Sequence, residues 1–279
     1  MRVLVLGAGG QLGAELAAQA RARGHDVVAL ARAELDVVDA AAVRARLLEV
    51  RADTIFNAAA YTAVDRAESE PELAMAINGT APGVVATTAA EAGSRLVHYS
   101  TDYVFGGSAT EPIPEDAPTS PLGVYGRTKL AGEEAVRAAG GDALLVRTAW
   151  VYGGGTNFIS TVLRITREQG TMRVVDDQRG SPSWARDLAV ASLRLAEVGS
   201  PGTYHLTNSG ECTWYELARL VVERAGISAE VVPITTAEYP TPARRPAYSV
   251  LDNRRWRGLG ETSLRPWQDA VEEFMGELA

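Results

Sequence analysis

Short apolar runs recur through the first half of the chain, each followed by a longer alanine-rich stretch with helical spacing. Val3–Leu6, Val27–Leu30, Thr54–Asn57, Arg95–Ser100 and Ala143–Arg147 have the length and composition of strands. Gly10–Arg23, Ala40–Val50, Glu72–Ala92 and Tyr125–Ala138 have those of helices. Such alternation requires crossover connections, and crossovers build parallel sheets covered by helices on both faces. The predicted fold class is therefore α/β, a doubly wound, Rossmann-like parallel sheet with right-handed crossovers. Beyond about residue 150 the alternation loosens. Gly153–Asn157 and Asp176–Ser183 read as loops, Thr213–Ala225 as an amphipathic helix, and Tyr239–Pro246 as an extended, proline-rich segment. This predicts a smaller, irregular lobe over 151–279, with some of its segments returning to a larger domain over 1–150.

The balance of residues removes several classes of function. With 279 residues, 46% of them hydrophobic, the chain can bury a large core and is not a disordered segment. A formal charge of −8 argues against a nucleic-acid partner. One cysteine, Cys212, excludes a disulfide framework, and the scattered His25, His98 and His205 do not form a zinc pattern. The apolar run before the first glycine is too short for a signal peptide or a membrane span, so the expected location is cytoplasmic.

Directly after the first predicted strand comes Gly7-Ala8-Gly9-Gly10-Gln11-Leu12-Gly13. Leucine at 12 breaks the G-x-G-x-x-G spacing, whereas Gly7, Gly10 and Gly13 fit G-x-x-G-x-x-G. Glycines at a strand–helix turn permit a tight reversal, close approach of backbone N–H groups to a pyrophosphate, and close helix–strand packing. Residues 1–150 are thus expected to bind a dinucleotide, and the later lobe to bind a substrate. The end of the second strand selects the cofactor, an acid suiting NAD and an arginine suiting the 2′-phosphate of NADP. Ala29-Leu30-Ala31-Arg32 carries no acid, which favours NADPH with Arg32 as the cation and leaves NADH possible. Asp36 either lines the adenine pocket or caps a helix.

The chain has 26 arginines and one lysine, Lys129, four residues after Tyr125. With nine tyrosines in 279 residues, chance rarely puts a lone lysine at that spacing. On a helix the pair shares one face. A nearby ammonium is expected to lower the pKa of a phenol, making Tyr125 a general acid near neutral pH. Upstream, Ser100-Thr101-Asp102 ends a predicted strand, at the sheet edge where ligands bind in open α/β folds. Of the two hydroxyls, Thr101 is preferred over Ser100 as the group that orients a substrate carbonyl.

The glycine loop, the strand-end Ser-Thr and Tyr-x-x-x-Lys together resemble the extended short-chain dehydrogenase/reductases. Asn57–Asp65, Ala67–Pro71, Tyr99–Phe105, Val124–Gly132, Arg147–Tyr152 and Pro240–Pro246 resemble the dTDP-4-dehydrorhamnose reductase family within them. That resemblance implies NAD(P)H-dependent reduction of the C4 ketone of dTDP-4-dehydro-β-L-rhamnose to dTDP-L-rhamnose, the last step of dTDP-rhamnose synthesis for cell-wall polysaccharide. Tyr125 would be the proton donor, Lys129 would tune it and hold the nicotinamide ribose, and Thr101 would position the ketone. Gly10, Gln11 and Leu12 would touch the pyrophosphate, and Ala58, Tyr61 and Thr62 would line the cofactor. Asp102, Trp150, Asn157 and Arg244 or Arg245 would meet the dTDP-sugar. Some members bridge a dimer through magnesium. Glu15 matches one acidic position and its C-terminal partners are left unmatched, so no metal site is assigned, and magnesium as well as the choice of monomer or homodimer stays open.

Three alternatives compete with this reading. A sugar-nucleotide 4,6-dehydratase would carry Asp-Glu after the threonine, where this chain has Asp102-Tyr103. A nucleotide-sugar epimerase-reductase would need a further acid/base pair. A non-catalytic regulatory subunit of the same fold, such as the beta subunit of methionine adenosyltransferase, would bind cofactor without turnover.

Overall fold

Alternate residues of a strand point to opposite faces, and the first strand shows why this sheet needs two helical layers. In the computed structural model, which describes residues 1–278, Val3 and Val5 feed one core and Leu4 and Leu6 the other. The first core also holds Leu16, Ala20, Leu188 and Leu195, and the second holds Val43, Leu47, Val85 and Val136. A strand buried on both sides has to be a near-continuous apolar run, which is what RVLVL is.

In chain order the first half comprises β1 (Arg2–Leu6), α1 (Gln11–Ala22), β2 (Asp26–Leu30), α2 (Ala40–Val50) and β3 (Thr54–Asn57). There follow α3 (Val64–Ala67), α4 (Pro71–Met75), α5 (Ala81–Ala92), β4 (Arg95–Thr101), α6 (Val124–Ala139) and β5 (Ala143–Thr148). The second half has β6 (Val151–Tyr152), α7 (Phe158–Gln169), β7 (Thr171–Val175), β8 (Arg179–Gly180), β9 (Ser183–Trp184) and α8 (Ala185–Val198). It continues with β10 (Gly202–His205), β11 (Cys212–Thr213), α9 (Trp214–Arg224), β12 (Glu230–Ile234), α10 (Arg254–Gly258) and α11 (Trp267–Glu277).

The main sheet runs β10-β5-β4-β3-β1-β2, all parallel. After β2 the chain crosses back over β1 to lay down β3, so the winding direction reverses between β1 and β3. At such a reversal the loops leaving the two strands diverge, one above and one below the sheet, and open a crevice at their carboxyl ends. Leu6 is level with Asn57, so the Gly7 turn and the Ala58 turn leave the sheet side by side. The site is placed by topology before any side chain is considered.

Two sequence readings need correction. Glu72–Ala92 is not one regular helix, because α4 and α5 are joined by a π-helical turn over Ala76–Thr80. Pro82 has no N–H for the Asn78 carbonyl and its ring crowds that turn, while the Ala81 N–H reaches back to Ala76 instead. Asp176–Ser183 is not loop throughout, since it holds β8 and the start of β9. Two-residue strands are too short to show alternation. Three small two-stranded sheets, β11-β8, β12-β7 and β6-β9, lie outside the main one. Tyr152, Ile159, Trp184, Leu217, Val221 and Phe274 share a core of their own beside α7, α9 and α11. No helix among the described residues is long and apolar enough to cross a membrane.

Candidate active site

A cavity of about 920 Å³ opens at the β1/β3 reversal. One wall is the start of α1. Gly7 takes φ of +76°, and a Cβ there would lie 2.6 Å from the Ala59 nitrogen. A Cβ on Gly13 would lie 2.2 Å from the Gly7 carbonyl oxygen, so only glycine lets the helix sit this close to its own turn. Helix α1 starts at Gly10 with no side-chain cap and no acid in its first turn. Its leading N–H groups are unspent donors at the positive end of a helix, beside cavity-lining Gly9, Gly10, Gln11 and Leu12. That donor set fits the pyrophosphate of a dinucleotide. Ala58 and Thr62 line the same cavity from the β3 side.

The opposite wall carries the hydroxyls. Thr101 closes β4, Tyr125 is the second residue of α6, and Lys129 follows one helical turn on; all three line the cavity. Lys129 is 3% exposed and its Nζ donates to the Tyr99 carbonyl at 2.6 Å. Burial draws its pKa down to about 8, with the Glu133 carboxylate pulling the other way. Thr101 Oγ1 donates to Asp102 Oδ1 at 3.0 Å and accepts from the Tyr103 N–H at 3.2 Å. Burial raises the Asp102 carboxyl to about 6, and the neighbouring Ser249 and Thr101 hydroxyls pull it back. Its second oxygen, Oδ2, is buried without a partner.

The expected lowering of the phenol by the ammonium does not occur in the chain alone. Burial pushes Tyr125 up to about 12, the nearby Thr101 hydroxyl pulls it back, and the Asp102 charge raises it further. Desolvation is the largest cause, and the Lys129 ammonium, one of whose three protons goes to the Tyr99 carbonyl, is not among the groups that pull the phenol down. The consequence is a phenol that keeps its proton at neutral pH, which is the loaded state of a donor.

Other candidates divide between the cavity and elsewhere. Trp150 lines it, with φ of +48° and its indole stacked on Trp214 at 3.5 Å and 7°. A left-handed tryptophan costs about 1 kcal/mol or more in backbone strain, which the stack and the packing around it offset. Asn157 does not line the cavity. Its side chain caps α7, accepting from the Ser160 N–H at 3.0 Å and donating to the Gly153 carbonyl at 2.5 Å. Tyr61 also stays outside, its hydroxyl bonded to Glu70 at 2.5 Å. Arg245 is not a free phosphate partner, because its guanidinium grips Asp65 at 2.7 and 3.1 Å. Arg244 is exposed. Arg32 and Asp36 are exposed beyond β2 and face each other at 3.8 Å. Glu15 lines the cavity and lies 3.5 Å from Arg186, and no acidic, histidine or cysteine cluster of metal-binding size occurs among the described residues.

Two residues escaped the sequence reading. Trp214 forms the far wall, and only the fold brings it under Trp150. Asn78, fully buried in the π-helical turn, donates to the Tyr61 carbonyl at 3.0 Å and to Thr128 Oγ1 at 3.3 Å, and accepts from the Tyr61 N–H at 2.8 Å. It ties the β3 turn to α6. An Asn-Gly pair inside an otherwise apolar helix was its one visible signal.

A family model described as RmlD substrate binding domain matches residues 1–279. The chain belongs to the RmlD family. A dTDP-4-dehydrorhamnose reductase of Streptomyces griseus is 46% identical to this RmlD chain over 285 residues, covering 99% of it and 94% of that protein. The spore coat polysaccharide biosynthesis protein SpsK of Bacillus subtilis is 42% identical over 279 residues, covering 99% and 97%. A crystal structure of dTDP-4-dehydrorhamnose reductase from Bacillus anthracis in complex with NADP is similar at a TM-score of 0.96 and 36% identity, covering 99% of each chain. The family resemblance read from the motifs and the doubly wound fold are both borne out.

Proposed function

We propose that this RmlD chain is an NADPH-dependent reductase of a dTDP-4-keto sugar, with dTDP-4-dehydro-β-L-rhamnose as substrate and dTDP-L-rhamnose as product. One observation carries the reading: Tyr125, Lys129 and Thr101 converge on the cavity that also holds the uncapped start of α1. The nicotinamide, when bound, supplies the hydride. Thr101 turns its hydroxyl proton from Asp102 to the ketone oxygen and holds it beside the Tyr125 phenol, and the phenol gives up its proton as that oxygen gains negative charge. The Lys129 ammonium, fixed by the Tyr99 carbonyl, stabilises the phenolate left behind. Trp150 and Trp214 wall the side from which a sugar nucleotide enters. The chain acts in the cytoplasm as a monomer or homodimer.

The deciding experiment supplies the keto sugar, made in situ from the preceding dTDP-sugar, to the purified chain with NADPH or NADH. Loss of reduced-cofactor absorbance that depends on the sugar, with dTDP-L-rhamnose as product, is the expected result. Cofactor binding without turnover would instead establish the regulatory-subunit alternative. Turnover confined to a different dTDP-4-keto sugar would move the substrate within the class, which the similarity to SpsK as well as to dTDP-4-dehydrorhamnose reductases makes worth testing.

Arg32 carries the cofactor preference in this reading. Its guanidinium is exposed and only loosely held by Asp36, so it is available to a ribose 2′-phosphate. Arg32→Ala is expected to weaken NADPH by roughly 10-fold or more, the scale of one lost charge-assisted hydrogen bond, and NADH far less. Equal losses for both cofactors in fluorescence titrations would take Arg32 out of the phosphate site.

A further inference from the structure

The helix that carries Tyr125 begins without a cap of its own. Its N-cap residue is Gly123, which has no side chain to satisfy the leading N–H groups of α6. Those groups also bear the positive end of a 16-residue helix. A carboxylate from another element fills the gap. Glu68, the residue after α3, accepts the Val124 N–H on its Oε1 at 2.7 Å. The approach depends on glycine at 123, where a Cβ would lie 2.6 Å from that oxygen. Val124 immediately precedes Tyr125, so the bond acts on the backbone next to the phenol.

Glu68 is itself held in place. It follows Asp65, which grips Arg245 and accepts the Ala243 N–H at 3.2 Å, and Arg66, which pairs with Glu70 at 2.7 Å. The α3 turn is therefore anchored to the 241–245 segment on one side and to the start of α6 on the other. Glu68 does not line the cavity, so any influence it has on the reaction passes through α6.

We infer that Glu68 is a positioning residue for the proton donor: its carboxylate docks the first turn of α6 and so fixes the Tyr125 phenol against Thr101 and the bound sugar. This rests on the reading of Tyr125 as the donor. The size of the effect follows from geometry, since misplacing a reacting group by 1 Å costs about 10²-fold in rate. Glu68→Ala is expected to lower kcat roughly 10- to 100-fold while the KM for NADPH changes by less than about 3-fold, because the α1 turn is untouched. Glu68→Gln keeps the acceptor oxygen and is expected to recover to within about 5-fold of the parent kcat.

The test is steady-state kinetics on the purified full chain for Glu68→Ala, Glu68→Gln and Tyr125→Phe in parallel, with thermal melts of each. The docking role is supported by a kcat loss in Glu68→Ala, rescue in Glu68→Gln and an unchanged cofactor KM. Parent-like kcat in Glu68→Ala beside an inactive Tyr125→Phe would overturn this role alone. Parent-like turnover in Tyr125→Phe would remove the proton donor and this role with it. A Glu68→Gln chain no faster than Glu68→Ala, with cofactor affinity and melting temperature falling together, would reduce Glu68 to a general structural contact. Should Glu68→Ala fail to fold, Glu68→Asp decides: one methylene short of Val124, it is expected to lose kcat against Glu68→Gln, and parity between them would sink the proposal.

Discussion

Tyr125→Phe is expected to lower turnover by about 10²–10⁴-fold, the scale of a lost general acid, with cofactor affinity nearly unchanged. The change removes one oxygen from a ring packed edge-on against Tyr103 at 5.5 Å, so the cavity keeps its shape. What disappears is the one phenolic proton among the described residues that lies beside Thr101 at the end of β4 and shares a helical face with Lys129. Single-turnover kinetics would separate this loss from slow product release. The pH profile makes the same assignment from another side. Burial holds Lys129 near 8, so its charge is present below that pH and lost above it. The kcat/KM of the free protein is therefore expected to be level through neutrality and to fall above about pH 8. The phenol, at about 12, does not titrate in this range. Near-native turnover in Tyr125→Phe, or a profile with no alkaline decline, would contradict the assigned roles.

The largest stability effect is expected one turn further along the same helix. Glu133 is fully buried on α6 and holds Arg147 of β5 through both oxygens, at 2.8 and 2.7 Å, while Arg137 adds a third contact at 2.6 Å. Arg147 is itself 3% exposed. Glu133→Ala would leave that guanidinium buried without its counter-charge, which costs about 3–5 kcal/mol. Against a total of roughly 5–15 kcal/mol for a native protein, this is a large share, and a melting temperature lower by roughly 6–20 °C is expected. The pH dependence has a definite sign. Burial alone would raise the Glu133 carboxyl, but hydrogen bonds and charge from Arg147, with Ser100 and Arg137, hold it down at about 2. A depressed carboxyl stabilises the fold fully above the unfolded value near 4.5 and loses that contribution as pH falls toward 2. Acid titration of the parent and of Glu133→Gln should therefore show a constant stability difference above about pH 4.5 that narrows as pH falls toward 2. A variant melting within about 2 °C of the parent would show that Arg147 finds another partner.

The same ion pair marks a boundary in what local sequence can tell. Glu133 and Arg147 are 14 residues apart on different elements, and nothing in either neighbourhood announces the other. The pairing exists because α6 and β5 pack together and exclude water, which makes an unpaired charge intolerable there. Asn157 and Arg245 show the reverse case. Their motifs resemble ligand contacts, yet one side chain is consumed by capping α7 and the other by gripping Asp65. The choice among partners is made by whichever acceptor the fold brings within reach.

Short-range features were readable because their causes are short-range. Strand and helix alternation follows from burial on two faces, the glycine turn from backbone sterics, and the Tyr125–Lys129 facing from helical pitch; each involves residues within a turn or two. Tertiary structure alone decided the return of β10 beside β5, the Trp150–Trp214 stack, the docking of Glu68 on α6 and the upward rather than downward displacement of the Tyr125 phenol. All of these depend on desolvation and on contacts between distant segments, energies that exist only once the chain has closed on itself.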